Sequence, residues 1–205
     1  MKLFLASRVS NPISMESLKR FVGGFENKKI AYIPTAANGE EGWESWKNGG
    51  TWETMHALGA EINLVILEDY RNDSVIKVLE ENDIIWFAGG MPGYLMYWIK
   101  RCGIDKNIKK LLDKRIIFIG SSAGAMVAGQ SLEISEYGFT DNEIGAGSIE
   151  PMKLVSFDIF PHYSDEFYDN IKQQYTGNKI YLLKDGEQIL VDGDKIEVQG
   201  EERII

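Results

Sequence analysis

Short, continuous apolar runs recur along the chain and alternate with longer stretches whose apolar residues return every three or four positions. Runs of the first kind at residues 3–7, 29–34, 61–67, 83–87 and 115–119 each predict a strand. The second kind predicts helices over 14–22, ended by Gly23-Gly24, and over 74–81, 93–101 and 105–113. A Trp-rich segment, 42–58, reads as helix broken near Gly49-Gly50. The strands do not alternate apolar with polar, so both of their faces are expected to be covered, as in a parallel sheet. Strand and helix in alternation predict βαβ units and a doubly wound α/β fold with helices on both faces. The last segment differs. Residues 179–184, 188–191 and 195–199 are short strands joined at Asp185-Gly186 and Asp192-Gly193-Asp194, which predicts antiparallel hairpins closing one edge.

Nothing in this pattern suggests a linker or a repeat, so 205 residues are expected to form one domain, 1–205. A net charge of −9 disfavours nucleic acid as a partner, because phosphate binding needs a basic surface. The apolar N-terminal stretch is too short for a signal sequence, and no run of apolar residues could span a bilayer. With a single cysteine, Cys102, no disulfide can form within the chain. A cytoplasmic protein without membrane contact is expected, with dimer formation left open. No metal-ligand spacing or phosphate-binding loop occurs, so no cofactor is expected.

In an open parallel sheet, ligands bind beyond the carboxyl ends of the strands. After the fifth predicted strand stands Gly120-Ser121-Ser122-Ala123-Gly124, followed by the helix-compatible 125–129. This is G-x-S-x-G in the strand–turn–helix setting that a nucleophile elbow requires. Ser122 is the expected nucleophile, and the Ala123 N–H an expected oxyanion donor. A serine hydroxyl needs a base. The chain has two histidines, and His162 follows an apolar run and a proline, at the same rim as the elbow. His56, within the Trp-rich helix, reads as a surface or packing residue. The third member is sought among the carboxylates between Ser122 and His162. Asp141, in the polar loop 140–143, is favoured, with Glu143 second and Asp158 too far down its strand. After the fourth strand, Gly89-Gly90 allows close backbone approach, and the Gly90 N–H is the expected second oxyanion donor. Trp43, Trp46 and Trp52 read as core or interface aromatics, and Cys102 as a packed thiol.

Three of these segments, Phe87-Ala88-Gly89-Gly90, Ile117 through Ala125 and Phe160-Pro161-His162-Tyr163, resemble the aspartyl dipeptidase (dipeptidase E-like) serine peptidases, relatives of the cyanophycinases. The resemblance runs from about residue 30 to 191. It implies the class I glutamine amidotransferase-like architecture, with serine at the elbow in place of cysteine. It also implies Ser122 as nucleophile, His162 as base, an acidic residue before His162, and an oxyanion hole at Gly90 and Ala123. Two departures stand out. Met91 and Pro92 follow the glycine pair where the family commonly has asparagine. Segment 163–175 also lacks the family's aspartate-binding arginine, and Lys172 is its only fixed cation. An ammonium cannot replace a bidentate guanidinium, so aspartyl specificity is not expected to carry over. The expectation is thus a serine peptidase acting on short peptides. The alternatives are an esterase of the α/β-hydrolase kind, disfavoured by only 40 residues between Ser122 and His162, and a non-catalytic binding member of the same scaffold.

Overall fold

The structure, a computed structural model, describes residues 1–40, 45–139, 142–177 and 179–205, with the backbone alone at Ser45 and Asn48. In chain order the strands are β1 (Lys2–Ala6), β2 (Lys29–Ile33), β3 (Glu61–Leu64), β4 (Ile84–Phe87), β5 (Ile117–Ser121), β6 (Asp158–Phe160), β7 (Ile180–Leu182), β8 (Gln188–Asp192) and β9 (Lys195–Gln199). The helices are α1 (Pro12–Val22), α2 (Thr35–Asn38), α3 (Gly50–His56), α4 (Val75–Glu80), α5 (Pro92–Arg101), α6 (Ile104–Asp113), α7 (Ala123–Met126) and α8 (Tyr168–Gln174). Seven strands form one sheet in the order β3-β2-β4-β5-β1-β8-β9. The first five in that order run parallel, while β8 and β9 add an antiparallel edge.

Alternate side chains of the central strands enter two separate cores, as the continuous apolar runs require. Leu3, Leu5, Ile33, Ile85, Phe87 and Phe118 face α5 and α6. Phe4, Ile30, Tyr32, Trp86 and Ile119 face the other side, where Leu18 of α1 and Met55 of α3 cover them. The Trp-rich segment is interrupted near the expected place: a 3-10 turn at Ser45–Asn48 precedes Gly49, which caps α3.

The C-terminal region departs from the expectation in one respect. β8 and β9 form the hairpin, but β7 pairs in parallel with β6 as a separate two-stranded sheet. Residues 183–187 carry the chain from this small sheet to the large one, and the Ser7 N–H donates to the Glu187 carbonyl at 3.1 Å where they meet. No helix among the described residues is long and apolar enough to cross a membrane.

Glycine sets how closely β4, β5 and α7 approach. A Cβ on Gly124 would lie 2.2 Å from the Phe87 carbonyl oxygen, and one on Gly120 would lie 2.4 Å from the Gly124 carbonyl oxygen. Both obstacles are backbone, so no rotamer change relieves them. Gly124→Ala should therefore lower stability by about 3 kcal/mol, which lowers the melting temperature of a chain this long by roughly 10 °C. Gly50→Ala, with open space around the new methyl group, should leave it nearly unchanged. Thermal melts followed by circular dichroism check both.

Candidate active site

Ser122 leaves β5 with φ +52° and ψ −116°, a conformation L-residues rarely adopt. Such backbone costs on the order of 1–3 kcal/mol and persists only where the surroundings fix it. Here its N–H donates to the Ala6 carbonyl at 3.0 Å, and its carbonyl accepts the N–H groups of Ala125 and Met126 at 2.8 and 3.0 Å. The side chain is thereby lifted off the sheet. The loop after β4 passes beside it: a Cβ on Gly89 would lie 3.2 Å from Ser122 Cβ. Gly90 has φ +133°, and its missing Cβ would lie 2.2 Å from the carbonyl carbon of Ala36. The Met91 N–H donates to the Ala36 carbonyl at 3.0 Å, which pins this loop to α2. The N–H groups of Gly90 and Ala123 have no acceptor among the described residues.

His162 follows β6 with its own positive φ of +55°. Its Nε2 lies 2.9 Å from Ser122 Oγ and its Nδ1 lies 2.7 Å from Asp185 Oδ1. Asp185 follows β7. Because β6 and β7 are parallel with Phe160 opposite Leu182, the residues just beyond their ends emerge on one side, His162 beside Asp185. Ser7, fully buried at the end of β1, ties the pair together. Its hydroxyl accepts the His162 N–H at 2.8 Å and donates to Asp185 Oδ1 at 2.9 Å. The direction is forced, because a backbone N–H can only donate and the one hydroxyl proton is left for the carboxylate. Arg8 Nε lies 3.1 Å from Asp185 Oδ2. Burial pushes the Asp185 carboxyl upward. The hydrogen bond and charge of His162, then Ser7 and Arg8, more than offset this and leave it below the ordinary carboxylate value.

The carboxylate on His162 is thus not among those expected. Asp141, the favoured candidate, lies outside the described residues, and the Nδ1 position it was expected to fill is held by Asp185. Glu143, the second candidate, accepts the Gly93 and Tyr94 N–H groups at 2.7 and 2.8 Å and so caps the start of α5. Asp158 stays below the ring, as expected, accepting the N–H groups of Gln130 and Ser131 and the Tyr175 hydroxyl. Asp185 lies beyond His162, outside the interval from Ser122 to His162 in which the third member is expected. Asp185 carries the same signal as His162, a polar residue shortly past an apolar strand. His56 is exposed on α3 and bonded to the Trp52 carbonyl. Trp46 and Trp52 pack against each other and Tyr32, while Trp43 lies outside the described residues. Cys102 is buried. Burial also pushes its thiol upward, the environment of an unreactive thiol. No cluster of possible metal ligands occurs among the described residues.

Ser122 and His162 open into a cavity of about 1110 Å³ over the carboxyl ends of the parallel strands. A serine bonded to a histidine, itself bonded to a carboxylate, has the parts for nucleophilic acyl transfer. The sequence model of peptidase family S51 matches residues 5–199. This chain belongs to peptidase family S51. Membership makes it a serine peptidase and sets aside the esterase alternative. An uncharacterized peptidase of Listeria monocytogenes is 26% identical over 200 residues, covering 95% of this chain and 96% of the relative. Peptidase E of Pasteurella multocida is 22% identical over 204 residues, covering 92% and 82%. Among solved structures, a protein of Listeria monocytogenes assigned as a peptidase E superposes with a TM-score of 0.79 at 25% identity, covering 97% of both chains. A peptidase from an acI-B1 actinobacterium shares the fold, with a TM-score of 0.67 at 20% identity, covering 99% and 88%.

The depressed Asp185 carboxyl also links this S51 site to folding. A group more acidic in the folded than in the unfolded chain stabilises the fold above its unfolded value, about 3.9 for aspartate. That contribution is lost as pH falls through the folded-state value. The melting-temperature gap between the native chain and Asp185→Asn should therefore be widest above pH 5 and shrink below about pH 4. Melts across a pH series measure it; a gap that widens in acid would contradict the assignment.

Proposed function

We propose that this S51 peptidase hydrolyses short peptides through an acyl-enzyme on Ser122. His162 acts as general base, Asp185 orients it, and the Gly90 and Ala123 N–H groups stabilise the oxyanion. The observation that carries this reading is the unbroken hydrogen-bonded line from Ser122 Oγ through the His162 ring to Asp185 Oδ1. An ionised carboxylate can only accept, so the Nδ1 facing it carries the proton. In the neutral ring Nε2 is then a bare acceptor, aimed at the Ser122 hydroxyl.

Oγ attacks the scissile carbonyl carbon while its proton passes to Nε2, and the carbonyl π electrons move to oxygen. The intermediate collapses as the C–N bond breaks, and the departing amine takes the Nε2 proton. Water then gives a proton to Nε2 and attacks the acyl carbon. Ser122 leaves with that proton, and the acid product is released. Asp185 stays ionised throughout and stabilises the transient imidazolium. Both proposed oxyanion donors lack an acceptor among the described residues, which suits a role that begins only when charge develops. The cavity volume suits a ligand of a few residues.

Ser122→Ala should remain folded, lose turnover and lose labelling by a fluorophosphonate probe. Retained turnover would overturn the nucleophile, and an unlabelled but folded native chain would favour a non-catalytic binding role. Asp185→Asn should lower kcat by roughly 10³-fold or more with KM little changed, because the amide stabilises the wrong ring tautomer. Asp141→Ala should keep most of the activity. Steady-state kinetics on a dipeptide panel separate these outcomes.

A further inference from the structure

The cavity beside Ser122 is unsymmetrical along the sheet edge. In the strand order β4-β5-β1 the elbow stands in the middle. The loop after β4 brings Gly90 to one side of Ser122. The end of β1 brings Ser7 and Arg8 to the other, where Ser7 and Asp185 hold His162. A carbonyl oxygen drawn to the Gly90 N–H leaves the scissile nitrogen on the His162 side, because that nitrogen must take its proton from Nε2. The β1 side therefore receives the leaving residue.

Among the described residues, Arg8 is the one lysine or arginine that lines the cavity. The residues outside the described set include neither. Arg8 Nε lies 3.1 Å from Asp185 Oδ2. The two terminal nitrogens have no partner among the described residues, and the side chain is 55% exposed, so a ligand can reach them. The Nε contact steadies the guanidinium and leaves free the outward fork, which can hold a carboxylate through two parallel hydrogen bonds. Ser10, also on the cavity wall, adds a hydroxyl without a partner among the described residues. The acidic residues of the lining, Glu40 and Glu143, stand with α2 and α5, on the far side of β5 from β1.

We infer that the outward nitrogens of Arg8 form a subsite for the free α-carboxylate of the leaving residue, so that this chain favours peptides ending one residue beyond the cleaved bond. The inference rests on Ser122 being the nucleophile, since that fixes which side the amine leaves from. Dipeptides and their C-terminal amides form matched pairs for the test, assayed with the native chain, Arg8→Gln and Arg8→Lys. The native chain should favour the free acid at least about fivefold in kcat/KM, mainly through KM, a modest factor because the cation is half exposed. Arg8→Gln should bring that ratio close to one. Arg8→Lys, which keeps the charge but not the fork, should restore part of it. Lost support of Asp185 alone would slow acid and amide alike, so a ratio unchanged in Arg8→Gln would overturn the inference. So would a native ratio near one, or an Arg8→Gln penalty that follows an aspartate on the acyl side instead of the terminal carboxylate. Calorimetric binding of the same pairs to Ser122→Ala, with and without Arg8→Gln, reads the subsite apart from turnover. An acid preference that depends on Arg8 there would support the subsite, while a native chain that hydrolysed neither member would sink the acyl-enzyme alone.

Discussion

The backbone of Ser122, held at positive φ between β5 and α7, is the constraint on which the site depends. That conformation raises the hydroxyl above the sheet, and it exists only because three pieces of main chain come unusually close. Gly120 and Gly124 have no Cβ where one would strike the α7 backbone and the Phe87 carbonyl. Gly89 and Gly90 let the neighbouring loop lie against both the elbow and α2. Local strain at one residue is thus supported by four glycines that serve space more than flexibility.

The rest of the site is arranged around that fixed hydroxyl. His162 follows one strand of the small sheet, Asp185 follows the strand beside it, and Ser7 follows β1, which lies next to β5 in the large sheet. Ser7 joins the two sheets with backbone and side-chain hydrogen bonds at the point where the ring must be aimed. Arg8 next to it balances charge on the outer carboxylate oxygen. Orientation and charge are therefore set by consecutive residues.

Much of this was legible from sequence, for reasons specific to each element. The parallel strands were readable because burial on both faces leaves uninterrupted apolar runs, with 29–34 becoming β2 and 115–119 becoming β5. Ser122 stood out through a motif whose glycines have a steric cause, and His162 through the scarcity of histidine and its place after a strand. Asp185 was not found, because its nearness to His162 arises from a parallel pairing across α8. The Asp-Gly at 185–186 carries a turn signal that any hairpin would share. Ser7 and Arg8 belong to no motif. Their role comes from where β1 lies in the sheet, which periodicity does not encode. Glu143 read as a loop carboxylate free to reach the rim, but the start of α5 claims both its oxygens.

The parallel pairing of β6 with β7 carries one more consequence. His162 and Asp185 stand just past neighbouring strands of a two-stranded unit, so their meeting is a matter of count along the chain. Advance or retard one strand by a single residue and the ring would be offered Lys184 or Gly186 in place of Asp185, a cation or nothing at all. Such an error would turn every side chain of the slipped strand to its other face, parting Phe160 from Phe139, and would leave the imidazole without its anion. Alignment of six residues of strand, 158–160 and 180–182, therefore fixes both how this corner packs and which side chain meets the ring.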